Sequence, residues 1–183
     1  MVDAIIRVID RLIQLVEIRK RFNRQMFEDH IDPIYKNLQI VIDDYREIIL
    51  AIETKLNRGV KPQEVLEELI TRRERYARVR DEVKKYAEAL ANAKAKLNEH
   101  VYEFARSSRD LFLFEPTMQL RASPIRSALS SLIDDLAYAI EHPDSCGPHV
   151  IGRVLIGRYK AGIAYHWDDI SSKYFQLRAE YLK

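Results

Sequence analysis

Residues 31–69 read IDPIYKNLQIVIDDYREIILAIETKLNRGVKPQEVLEEL, and the spacings inside this stretch decide the fold class. Ile31, Ile34, Leu38, Val41, Tyr45, Ile48 and Ile52 follow one another at steps of three and four, which sets them on a single stripe of an α-helix. Gly59 then stands where a helix end needs a left-handed residue, and Pro62 where the next helix begins. The stretch therefore predicts a helix, a tight turn and a second helix. The same three-and-four spacing recurs along the chain, and no convincing strand-like alternation interrupts it.

Pro33 is the one conflict within the stripe. A proline inside a helix removes a backbone hydrogen bond and crowds the turn before it. Asp32 is a good capping residue for a new helix with Pro33 at its first position. The apolar phase, however, runs from Phe27 through Pro33 to Ile52 without a slip. That continuity predicts a kinked, roughly collinear helix near residues 30–33 rather than a sharp reversal. Upstream, Ile5, Ile9, Leu12 and Val16 begin a first helix.

Beyond the turn, Leu69, Tyr76, Val79, Val83, Tyr86, Leu90, Ala93, Leu97, Val101, Phe104 and Leu111 repeat at about 3.5 residues. About fifty helical residues would extend about 75 Å. Folding this segment back about Gly59 sets Tyr45 beside Tyr76 and Tyr35 beside Tyr86. It also sets Asp44 beside Arg75, Glu47 beside Arg72 and Lys20 beside Glu99. Residues 3–112 accordingly read as a long antiparallel, coiled-coil-like hairpin, with the apolar seam supplying energy and the exposed ion pairs, each worth about 0–1 kcal/mol, selecting the register.

Pro116 ends this arm, residues 1–115. In residues 116–183, Ser123 and Pro124 open a helix lined by Ile125, Leu129, Leu132, Leu136 and Ile140. Ile151, Leu155, Tyr159, Ile163, Trp167, Ile170, Tyr174, Leu177 and Tyr181 line a last helix of about thirty residues, with breaks expected near its glycines. The expected fold is all-α: a long helical hairpin packed with two C-terminal helices into an elongated four-helix bundle, as a single structural unit.

Composition narrows the function classes. Of the 183 residues, 47% are hydrophobic, ample for a core, and 32% are charged with a net charge of only +2. No global field therefore draws the chain toward nucleic acid or acidic lipid. Asp3, Arg7, Asp10, Arg11 and Glu17 interrupt the apolar start at helical spacing, unlike a signal peptide. No run of 18 uncharged apolar residues exists, so no membrane span is expected. The one cysteine, Cys146, excludes an internal disulfide, and the expected compartment is the reducing cytoplasm.

Several clusters carry potential chemistry. Arg24, five intervening residues and His30 resemble the arginine-to-histidine spacing of HEPN-type ribonucleases, small all-helical proteins. The resemblance implies that the cation polarises a phosphate while the imidazole moves a proton from the ribose hydroxyl. The competing reading places His30 on a polar or packed flank of the kink, and we adopt it. Glu28, Asp29, His30 and Asp32 are dense in potential metal ligands, but helix neighbours diverge by about 100°. His100 with Glu103, and His166 with Asp169, have the three-residue spacing of helical metal ligands. His142, Cys146 and His149 lie in one loop and form the best zinc candidate, though without a second ligand pair at finger-like spacing. The basic runs RKRFNR (19–24) and RRERYARVRDEVKK (72–85) read as solvated helix faces, with acids opposite or interleaved.

No cofactor is expected. Ile6, Ile13, Val16, Ile18, Ile40, Ile42 and Ile49 lie off the main seam and also require burial. The favoured function is a non-catalytic helical scaffold or adaptor that binds a protein partner or self-associates. A HEPN-like RNA nuclease or nucleic-acid-binding protein of toxin or defence type, acting through Arg24 and His30, is the alternative.

Overall fold

The chain ends its longest hairpin helix at Gly59, the only residue with positive φ, at +80° among the described residues. In this computed structural model the described residues are 2–17, 24–74, 97–112, 128–144 and 150–182. Their helices are α1 (Val2–Glu17), α2 (Arg24–Met26), α3 (Asp32–Asn57), α4 (Pro62–Glu74), α5 (Glu99–Phe112), α6 (Ala128–Glu141) and α7 (Ile156–Tyr181). Two π-helical segments, Phe27–Ile31 and Val150–Leu155, lead into α3 and α7. No strand occurs among the described residues, and the helices pack as an all-α bundle.

The Gly59 turn follows from its residues. Val60 N–H donates to the Lys55 carbonyl and Gly59 N–H to the Leu56 carbonyl, each at 3.1 Å. These two bonds form a Schellman motif, which satisfies carbonyls that the helix end leaves open. Pro62 starts α4, where its missing N–H costs nothing. Lys55 and Glu68 then pair across the turn, beside a small cleft lined by Ile48, Ile52, Val65 and Leu69. The turn therefore joins two packed helices.

Pro33 does not break the chain. Ile31 and Asp32 both keep right-handed helical angles, and Asp32 N–H reaches back to the Phe27 carbonyl, five residues away. This wider turn carries the helix from Arg24 through Asn57. In an α-helix the Asp29 carbonyl would accept from the N–H of residue 33, which proline lacks. Arg11 Nη1 of α1 donates to that carbonyl instead, at 3.1 Å. Below this bond α1 packs on α3, and Val8, Ile9 and Leu12 are fully buried. Each such side chain contributes about 1.5–3 kcal/mol by leaving water. Helix α1 and the helical run from Arg24 to Asn57 are thus two separate elements packed on each other.

The second arm departs from an unbroken helix. Asn98 Oδ1 accepts the N–H groups of His100 and Val101, at 2.9 and 3.4 Å, so Asn98 caps a new helix, α5. Its partner is α7. The periodicity alone could not expose this restart, because Leu97 and Val101 keep the apolar phase across it. Of the proposed register pairs, Tyr76, Tyr86, Arg75 and Lys20 lie outside the described residues, as does the side chain of Arg72. Tyr45 is buried, and Tyr35 meets α7, as described below.

Helix α7 lies between α3 and α5 and packs on both, while α4 packs on α6. Asp32 bonds Tyr174 and Glu53 bonds Lys160, so α3 and α7 run antiparallel. Ser107 bonds Asp169 and His100 bonds Glu180, so α5 and α7 do too. The expected apolar line of the last helix is a buried line that runs from the π-helical segment into α7, with Ile151, Leu155, Tyr159, Ile163, Ile170, Tyr174 and Leu177 inside and Trp167 and Tyr181 partly so. Among the off-seam isoleucines, Ile42 and Ile49 are buried, Ile6 and Ile13 partly buried, and Ile40 exposed. The Ser123–Pro124 helix start lies outside the described residues. No described helix is long and apolar enough to cross a membrane.

Candidate functional site

Among the described residues, aromatic and ionisable side chains gather where α3 crosses α7. Tyr35 lies between two rings of α7, with Tyr174 at 3.8 Å and 6° on one side and Trp167 at 5.0 Å and 18° on the other. Trp167 and Tyr174 are two helical turns apart on one face, and a single ring fills the space between them. Phe27 flanks Tyr174 at 5.7 Å, and Phe175 meets Tyr35 edge-on at 6.2 Å. Such contacts contribute about 0.5–1.5 kcal/mol each beyond the area they bury. Tyr35 Oη and Ser171 Oγ share a hydrogen bond of 3.3 Å at the edge of the stack.

Asp32 is the polar end of this stack. Its Oδ1 accepts from the Tyr174 hydroxyl at 2.7 Å, and its Oδ2 pairs with Lys36 at 2.6 Å. Burial pushes the carboxyl up, but the bonds from Lys36 and Tyr174, with the charges of Lys36 and Arg178, outweigh it and hold Asp32 below its ordinary 3.8. Burial and the carboxylate push Tyr174 the other way, to about 12. At neutral pH a carboxylate thus faces a neutral phenol, the charge-assisted form of the bond. Asp32 is held by α7 rather than serving as a free helix cap.

A second polar seam joins α5 to α7. Ser107, almost fully buried, donates to Asp169. His166 stands one turn before Asp169, and burial lowers its pKa against the opposing pull of Asp110 and Asp169. Farther along, His100 Nδ1 and Glu180 Oε2 are 2.7 Å apart. On α6, Asp135 accepts from Tyr159 at 3.1 Å, and burial raises its pKa. These groups fix how the helices sit against one another. Ser107 and His166 thus share Asp169 as a neighbour, Ser107 through a hydrogen bond made in the interior and His166 through the charge of the carboxylate.

The residues singled out from sequence have other partners. Arg24 Nε donates to Glu28 at 2.9 Å rather than engaging His30, which sits half-buried on the π-helical segment. Of the four neighbouring potential ligands, Glu28 pairs with Arg24 and Asp32 with Lys36 and Tyr174. Glu103 pairs with Arg106 while His100 turns to Glu180. His142 donates through Nδ1 to the Tyr138 carbonyl at 3.0 Å and stacks on that ring; Cys146 and His149 lie outside the described residues. No three His, Cys, Asp or Glu side chains converge among the described residues. The small cleft between α3 and α4 has room for about one water molecule. The second basic run lies outside the described side chains, as does the first up to Arg24.

Sequence reasoning missed the bonds Asp32–Tyr174 and Ser107–Asp169. Each joins residues far apart in the chain, and no local spacing signals them. A proline next to an aspartate in an otherwise continuous stripe was the only local sign that residues 27–33 were unusual.

The chain matches no known family model, no curated protein and no solved structure.

Proposed function

We propose that the protein is a non-catalytic helical scaffold or adaptor of the cytoplasm, which binds a protein partner or a second copy of itself through helix faces. One observation carries this reading. The two longest helices among the described residues, α3 and α7, expose large apolar side chains: Ile40 and Leu50 on α3, Tyr165 and Phe175 on α7. Meanwhile the ionisable groups at the helix crossings are engaged with one another. A bundle whose polar chemistry is spent on fixing helix positions, and whose outer faces keep aromatic and aliphatic side chains in water, offers surface rather than a reaction centre. Its single cysteine suits a reducing compartment.

Native purification with mass measurement tests the reading. Either a mass above the 21.5 kDa of one chain or a stoichiometric companion protein is expected. A single-chain mass at high concentration, with no companion retained from the native cell, overturns it.

A further inference from the structure

We infer that the outward face of α7 pairs antiparallel with α7 of a second copy, about a two-fold axis level with Ile170. This rests on the self-association branch of the function proposed above and names the surface. Ala161, Tyr165, Asp168, Ser172, Phe175 and Ala179 are all exposed, as are the neighbouring positions 157, 164 and 176. Their spacing sets them on one side of the helix, away from the sides that bear Tyr174 toward α3 and Asp169 toward α5. In a chain with 32% charged residues, this face of about six turns carries one exposed charge, Asp168, and at its edge the half-buried Arg158, whose charge acts on Asp135 of α6. Tyr165 is 67% and Phe175 53% exposed, while Phe175 also rests its ring against the Tyr35 stack. Exposed aromatics on a face depleted of charge have the composition of an interface core.

The order of residues selects the occupant and its direction. Tyr165 and Phe175 are equally far from Ile170, on either side. An antiparallel copy therefore sets Tyr165 of each chain against Phe175 of the other, twice. Asp168 and Ser172 are likewise equidistant from Ile170, so each carboxylate meets a hydroxyl of the second copy. Ala161 meets Ala179, and Ala164 meets Gln176, so the small alanines leave room for the aromatic pairs with the helix axes about 8–10 Å apart. A parallel pair in register instead opposes Asp168 to Asp168. The strip is about 33 Å long and about 10 Å wide, and pairing buries on the order of 1,000 Å² in total, the lower end for specific complexes. A reversible dimer is the expected result.

Sedimentation of the full chain over a concentration series tests this, with Tyr165→Asp and Phe175→Asp as variants. Among the described rings Tyr165 touches that of His166 alone, so its replacement leaves the bundle folded by circular dichroism even if Phe175→Asp does not. Dimerisation at least about tenfold weaker in Tyr165→Asp is expected. Direction is read in a Cys146→Ser background by mixing Tyr165→Cys chains with Phe175→Cys chains. Disulfide-linked dimers should form in the mixture and not in either variant alone. A dimer unaffected by Tyr165→Asp overturns this surface while leaving self-association standing. Cross-linking of each variant with itself overturns the antiparallel arrangement. A strictly monomeric chain overturns the inference as a whole, and the scaffold reading then stands or falls on the companion protein.

Discussion

Replacing Tyr174 by phenylalanine removes one hydroxyl from the α3–α7 crossing and leaves the ring that stacks on Tyr35. The deleted bond is charge-assisted, at 2.7 Å to Asp32. Bonds to charged groups are worth about 1.5–3 kcal/mol. Asp32 remains 27% exposed and keeps Lys36, so water and the ammonium take up part of the loss, and about 1–2 kcal/mol is expected at neutral pH. For a chain of this size that lowers Tm by about 2–8 °C. The pH dependence follows from the direction of each shift. The carboxyl is lowered in the folded state, so its contribution is complete above its ordinary 3.8 and is lost as pH falls through the lower folded value. Tyr174 is raised from 10.0 to about 12, so its contribution is complete below 10 and is lost as pH rises through about 12. The difference between wild type and Tyr174→Phe, measured by urea unfolding followed by circular dichroism, should be largest from about pH 5 to 9 and shrink at both ends. An equal deficit at pH 3 and pH 7 would refute the assignment of Asp32 as the ionised acceptor.

Three further outcomes are expected. Arg11→Ala should cost about 0.5–1.5 kcal/mol through loss of its bond to the Asp29 carbonyl; in a Pro33→Ala background, where residue 33 regains an N–H for that carbonyl, the cost should fall, and a double-mutant cycle by urea unfolding measures the coupling. Gly59→Ala meets no atom within 4 Å, so it should destabilise by about 1–2 kcal/mol from the positive φ alone, and a larger loss in thermal unfolding contradicts the open turn. His166, lowered from 6.5 chiefly by burial, contributes stability that is complete above pH 6.5 and lost as pH falls through its folded value. Its replacement by glutamine should reduce the acid sensitivity of stability between pH 7 and 5, whereas an unchanged pH profile contradicts an imidazole kept neutral by partial burial.

Taken together, the helix crossings explain why chemistry-bearing residues were legible in the sequence but their roles were not. His100 and Glu103 have ligand spacing, yet Glu103 turns to Arg106 on its own helix and His100 to Glu180 on another. Arg24 and His30 have a suggestive separation, yet Glu28, one turn away, holds the guanidinium. A side chain that can reach several partners takes one according to which helix lies nearby, and spacing within a single helix carries no such information.

By itself the sequence determined the helical class, the Gly59–Pro62 turn and the buried line of α7, because these depend on steps of three and four residues and on the conformational limits of glycine and proline. It also carried the phase through Pro33, where continued burial of the stripe prevailed over the missing N–H. Tertiary structure decided the rest. Helix α1 packs on α3, Asn98 starts α5 within an unbroken apolar rhythm, and Tyr35 enters the gap between Trp167 and Tyr174. The physical reason is that an apolar stripe specifies which side of a helix avoids water and says nothing of which stripe covers it. Shape fit between rings and a few bonds such as Asp32–Tyr174 make that choice.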